Sequence, residues 1–221
     1  YAYAYAYAPQ DLIEIRRMAE QGDAEAEFGL GFCYTYGFGV EKDEKQGVIW
    51  YRRAAEQGNA GAQYNLGINY AKGLGVGQDS KQAVAWYRKA AEQGHVDAQF
   101  NLGVSYAQGH GVVQDAQQAM AWYRKAAEQG DADSQHNLGV NYSKGIGVVQ
   151  DDQQAVSWFR KAAEQGQLIA QNNLGASYQN GIGVAQDDQR AVVWYRKSAE
   201  QGYALAQFNL GAIYASGQGV V

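Results

Sequence analysis

Apolar and small residues recur along this chain at spacings of three and four. Ala62, Leu66 and Tyr70 fall four apart and share one face of a helix over roughly residues 60 to 72. Ala83, Trp86, Tyr87, Ala90 and Ala91 make a broader apolar face on a second helix, over roughly residues 80 to 93. The same two patterns return every 36 residues. Leu-Gly begins at Leu30, Leu66, Leu102, Leu138, Leu174 and Leu210. Glu-Gln-Gly ends at Gly22, Gly58, Gly94, Gly130, Gly166 and Gly202, and Gly-x-Gly-Val begins at Gly37, Gly73, Gly109, Gly145, Gly181 and Gly217. Neither helix can bury its apolar face alone, and a single pair cannot either, so neighbouring pairs must stack into one continuous core.

The punctuation between helices is equally regular. Asp43, Asp79, Asp115, Asp151 and Asp187 precede the second helices, with Gln46, Gln82, Gln118 and Gln154 three residues later, a capping-box pattern. Arg190 takes that place in the last copy, which keeps the aspartate and loses its reciprocal partner. The glycine closing each Glu-Gln-Gly supplies a left-handed stop. Glycine inside the first helix costs about 1 kcal/mol relative to alanine, so its recurrence at Gly31, Gly67, Gly103, Gly139, Gly175 and Gly211 implies a close helix crossing. Trp50, Trp86, Trp122, Trp158 and Trp194 are expected in the core.

The repeat also sets the boundaries. Residues 9–22 read as a half repeat, followed by full repeats at 23–58, 59–94, 95–130, 131–166 and 167–202, and a second half repeat at 203–221. Both ends read as cut from something longer, which is expected to permit self-association through the end helices. Residues 1–8 alternate Tyr and Ala without variation and read as an engineered or placeholder tail. If extended, the tail would put its tyrosines on one face and need a groove, in its own or a neighbouring molecule, to lie in.

Composition mainly removes functions. One proline, 28 glycines and 46% hydrophobic residues describe a folded, helix-compatible chain. Eighteen basic against 23 acidic residues give a net charge of −5, and the cations stand singly rather than in a stripe, so nucleic acid is not an expected partner. No apolar run reaches the roughly 20 residues of a membrane span. Cys33 is the single cysteine, which excludes an intramolecular disulfide and a thiolate metal cluster.

Candidate chemistry is sparse. Gly-x-Gly lies between helices rather than after a strand and lacks a following Lys-Ser or Lys-Thr, so it reads as a tight loop and not a phosphate cradle. His95, His110 and His136 share no metal-ligand spacing and are expected to be ordinary surface residues. Cys33 has no base nearby in sequence. No catalytic residue, metal or cofactor is assigned. Asn65, Asn101, Asn137, Asn173 and Asn209, with Gly29 in the first copy, form a ladder of one amide per repeat. An asparagine amide both donates and accepts, so the ladder fits either the backbone of an extended ligand or hydrogen bonds that hold neighbouring repeats together. The residue before each amide varies: Phe28, Tyr64, Phe100, His136, Asn172 and Phe208. With Phe32, Tyr36 and Ile68, these side chains make an aromatic surface suited to binding, or else to packing between first helices.

The motif Ala-x-Ala-Gln-x-Asn-Leu-Gly-x-x-Tyr-x-x-Gly-x-Gly-Val, with Asp and then Ala-x-x-Trp-Tyr-Arg-Lys-Ala-Ala-Glu-Gln-Gly, resembles the SEL-one-like repeat over about residues 9 to 221. That family is a relative of the tetratricopeptide repeat. The resemblance implies an all-α fold, a right-handed α-solenoid superhelix of antiparallel helix pairs with first helices on the concave side. It also implies protein or extended-peptide partners and a bacterial source, in cytoplasm or periplasm. Bacterial relatives often act as adaptors or in toxin immunity. In similar tetratricopeptide proteins the matching asparagine holds a ligand's backbone. The expected function is therefore a protein-interaction scaffold that is not an enzyme. An immunity protein that neutralises a toxin by docking is the alternative, and a structural spacer is a third. The paired cysteines that some secreted relatives carry in each repeat are absent.

Overall fold

The computed structural model describes residues 9–217, with side chains from residue 12 onward, so the Tyr-Ala tail and its expected groove lie outside the described residues. Twelve α-helices account for the described residues: α1 (Pro9–Glu20), α2 (Ala24–Tyr36), α3 (Glu44–Glu56), α4 (Ala60–Lys72), α5 (Ser80–Glu92), α6 (Val96–Gln108), α7 (Ala116–Glu128), α8 (Ala132–Lys144), α9 (Asp152–Glu164), α10 (Leu168–Asn180), α11 (Asp188–Glu200) and α12 (Ala204–Ala215). Even-numbered helices are first helices and odd-numbered ones second helices. The chain forms two compact units, dividing between Gln114 and Asp115. The first unit holds α1 to α6 and the second α7 to α12. Within each unit every helix packs on the next in sequence.

The helix ends follow from the side chains placed there. Asp79 Oδ1 accepts from the backbone N–H of Lys81 at 2.9 Å and of Gln82 at 3.0 Å, filling two of the donors that open α5. Asp43 and Asp115 do the same for α3 and α7. At α11 the aspartate cap is kept, as the sequence suggested, and its own backbone N–H goes to the Tyr178 carbonyl instead of a side chain at position 190. Arg190 donates its N–H to Asp187 and also ion-pairs with it through Nε at 3.2 Å. The first helices α2, α4, α6, α8 and α10 close on a left-handed glycine, such as Gly73 at φ 71°, whose N–H returns to the carbonyl of Asn69, while α12 ends on Ser216 at φ −81°.

The close crossing expected at the helix-internal glycines is real. A Cβ on Gly67 would stand 2.6 Å from the Tyr87 ring, one on Gly139 2.5 Å from Phe159, and one on Gly175 2.8 Å from Tyr195. The glycine is a notch that receives the ring of the following second helix. At Gly211 no atom lies within 4 Å. Leu30, Leu66, Leu102, Leu138 and Leu174 sit behind the notches at 0% exposure. The tryptophans divide. Trp86 and Trp122 are buried, while Trp50, Trp158 and Trp194 are only half-buried. A cation lies over each ring, for example Lys89 Nζ at 4.1 Å from the Trp86 centroid, so these rings form a lidded margin of the core.

A hydrogen-bond relay also runs between repeats. Gln63 is buried and donates to the Ala55 carbonyl at 3.0 Å, and its Oε1 accepts from Gln93 Nε2 at 2.7 Å. Gln135 and Gln171 repeat this arrangement in the second unit, with Gln165 and Gln201 as donors. In the first copy Glu27 stands in place of this glutamine and accepts from Gln57 at 2.6 Å. Satisfying each buried amide on both sides makes a polar residue admissible in the core and fixes the register of one pair on the next.

Candidate functional site

The sequence-selected residues are distributed over the first-helix face of each unit, and the structure gives them unequal surroundings. In the first unit Phe28 tilts onto Tyr51 with centroids 5.9 Å apart, and its ring fills the space a side chain at Gly61 would need. Phe28 thus packs between α2, α3 and α4. Phe32, Tyr36 and Phe38 form a second aromatic group, with Phe32 4.5 Å from Tyr36 and stacked 5.6 Å from Phe38. Tyr36 is 58% exposed, so this group is open to solvent. Tyr64 tilts onto Tyr87 at 6.0 Å and stacks on His95 at 4.6 Å. Phe100 is half-buried on α6.

The asparagine ladder is engaged with its neighbours. The Asn65 amide hydrogen-bonds the Tyr51 hydroxyl oxygen, Asn101 those of Tyr64 and Tyr87, and Asn137 that of Tyr123. Asn173 Nδ2 lies 3.3 Å from His136 Nε2, and Asn209 Nδ2 donates to Asn172 Oδ1 at 3.0 Å. These contacts reach from one repeat to the next, as the packing alternative for the ladder requires. Asn172 departs furthest from an open ligand contact: it is 3% exposed because its amide is enclosed between α10 and α12. Phe208 is the opposite case, 71% exposed on α12.

Three of the selected residues converge on one feature. An open groove of about 650 Å³ runs between α4, α5 and α6 in the first unit. Tyr64, Ile68, Val84 and Tyr87 supply its apolar walls and Asn101 its amide, while Lys72 and His110 stand where α4 and α6 end. Burial pushes the Tyr64 and Tyr87 hydroxyls up to about 12, so both are neutral donors under ordinary conditions. The groove therefore offers a partner apolar contact, an aromatic wall and polar hydrogen-bonding groups, the mixture that suits a peptide better than a purely apolar ligand. Among the described residues, no group of three or more His, Cys, Asp or Glu is placed to hold a metal ion, and no helix is long and apolar enough to cross a membrane. Cys33 is fully buried, and burial raises its thiol above the usual range.

The histidines correct the sequence reading. His110 is exposed, but His95 and His136 are half-buried. His95 is the N-cap of α6: its Nδ1 accepts from the Ala98 N–H at 3.4 Å, the role that Asp23, Asn59, Asp131 and Gln167 fill at the other first helices. An unusual cap residue in an otherwise ordinary series hid it from sequence reasoning. Burial lowers both imidazoles from their ordinary value of 6.5, against the opposing influence of Asp97 on one and of Asp133 and Asn137 on the other. The unfolded chain then binds more protons than the native one as pH falls through 6.5, so this part of the stability is present above that pH and lost below it. Urea unfolding is expected to show a larger loss of stability from about pH 7.5 to about pH 5 for the wild type than for His95→Asn. Glu27, raised by burial, titrates in both proteins and cancels from the comparison. Equal losses would show that His95 carries no such linkage.

The comparisons with known proteins agree with this architecture. The Sel1 repeat model matches residues 24–59, 60–95, 96–131, 132–167, 168–203 and 204–221. No curated protein matches the chain. Among solved structures, a protective antigen present in uropathogenic Escherichia coli strains, displaying an SLR fold, is 45% identical with a TM-score of 0.92 over 95% of this chain. This chain spans 45% of the length of that antigen. A Sel1 repeat protein from Oxalobacter formigenes is 40% identical with a TM-score of 0.82, covering 91% of this chain and 80% of its own. An immunity protein from Pseudomonas aeruginosa shares the fold at 21% identity, with a TM-score of 0.52 over 90% of this chain and 78% of its own. With six matched repeats and these two close structural relatives, the chain belongs to the Sel1 repeat family.

Proposed function

We propose that this protein is a non-enzymatic interaction scaffold that captures a peptide or protein segment on its first-helix face. The reading rests on the groove between α4, α5 and α6, where an aromatic wall, an aliphatic side chain and a recurring amide meet in an open volume of about 650 Å³. An extended segment suits such a groove because each of its residues presents one backbone donor and one acceptor, which Asn101 and the tyrosine hydroxyls can meet whatever the sequence. The aromatic group of Phe32, Tyr36 and Phe38 extends the same kind of surface along α2. Docking of a whole toxin domain, the alternative drawn from the sequence, has support only from the shared fold of the Pseudomonas immunity protein, and at 21% identity that speaks for the fold alone.

The test is affinity capture from a lysate of the organism that encodes the chain, with wild type beside a Tyr64→Ala, Ile68→Ala variant whose folding is verified by its thermal melt. A protein retained by the wild type and lost from the variant is the expected result. Identical captures would move the binding surface away from this groove.

A further inference from the structure

The repeat is its own internal control, and one of its variable positions and one departure from it meet in one groove. The position of Lys72 is occupied in the other copies by Tyr36, Gln108, Lys144, Asn180 and Ser216. The position of His110 is apolar in the four other described copies: Phe38, Leu74, Ile146 and Ile182. In the first unit Lys72 ends α4, and His110 follows the glycine that ends α6. Because α4 and α6 are both first helices of one stack, both residues stand at the same end of the groove. Both are exposed there.

No Asp or Glu lines the groove, although the chain as a whole carries a net charge of −5. Lys72 makes no ion pair among the described residues. The nearby carboxylates are otherwise placed. Asp79 is turned into the start of α5, accepting two backbone N–H groups. Asp97 opens α6 at the opposite end, where it acts on Tyr64 and His95. The lining of the groove thus holds one cation, Lys72, beside His110, and a floor of Ile68, Val84 and Asn101. A lone ammonium at the mouth of a partly apolar groove favours a partner that brings the opposite charge, because complementary charge speeds encounter and fixes orientation.

We propose that the groove between α4, α5 and α6 binds an extended peptide segment through an Asp or Glu side chain held at the Lys72–His110 end. The inference rests on the scaffold reading above and narrows it to one partner chemistry and one orientation.

The test is selection of linear peptides from a phage-displayed random library against the full chain, in parallel with a Lys72→Glu, His110→Glu variant. Enrichment of Asp and Glu in the peptides selected by the wild type is expected. Their affinity should fall at least about tenfold on the charge-reversed variant and weaken as salt is raised. Both side chains are exposed, so the variant should fold; a Lys72→Ala, His110→Ala variant replaces it if its melt is abnormal. Selected peptides without acidic enrichment, or peptides that bind the reversed variant equally well, would overturn the inference and leave the scaffold reading intact. Selection of no peptide at all would count against both.

Discussion

Gly75→Ala is expected to destabilise the protein by roughly 3 kcal/mol or more, the sum of a left-handed backbone forced on alanine and an overpacked contact. Gly75 has φ 68°, and a Cβ there would stand 2.2 Å from the carbonyl oxygen of Glu44, 2.4 Å from its carbonyl carbon and 2.9 Å from the nitrogen of Lys45. All three are backbone atoms in the first turn of α3, so no rotamer change relieves the clash. Gly39 is the control. It holds the same place in the motif and φ 70°, but its Cβ would meet only the flexible Leu12 Cδ2 at 3.1 Å. Gly39→Ala should therefore lose only the backbone part, about 1 to 2 kcal/mol. Urea denaturation of the two variants decides the matter, and equal losses would show that the contact with α3 is not what requires glycine.

A second large effect is expected at the notch of α10. Tyr195 is 1% exposed, and Tyr195→Ala should cost about 3 to 5 kcal/mol through lost burial and a residual cavity. Gly175→Ala in the wild type forces a Cβ to within 2.8 Å of the same ring and should be destabilising by about 1 to 3 kcal/mol. In the Tyr195→Ala background the sign should reverse. The methyl group then enters vacated space, and alanine is the better helix former by about 1 kcal/mol. The double-mutant cycle should thus show strong coupling in thermal or urea melts. Additive behaviour would mean that the ring is not the reason for the glycine.

These two cases also mark what was readable in the sequence. Gly175 recurs inside a helix, where glycine has a known cost, so its presence signalled a steric demand before any partner could be named. The Asp caps were readable for a similar reason, since the side-chain oxygen bonds within its own helix turn. Gln63 was not. Its two partners lie at Ala55 and Gln93, and a periodic pattern reports which side of a helix is covered, not which polar group answers another across a repeat boundary. The candidate site shows the same division. Ile68, Tyr64 and Asn101 were chosen from their positions in the repeat and do line one groove, but Lys72, at a variable position, and His110, at one that is apolar in the other described copies, gained a meaning only when the stack set them at one end of it. Asn172 looked like one more variable surface residue, and only the reach of Asn209 encloses it.

The two kinds of turn differ in tolerance. The Gly-x-Gly turns at Gly75 and Gly111 press on the start of an earlier helix, whereas a Cβ at Gly58, Gly94, Gly130, Gly166 or Gly202 would meet nothing within 4 Å. A fluorophore, an affinity handle or a whole inserted domain should therefore be carried at a Glu-Gln-Gly turn, where added chain meets open space and no neighbouring helix has to be repacked.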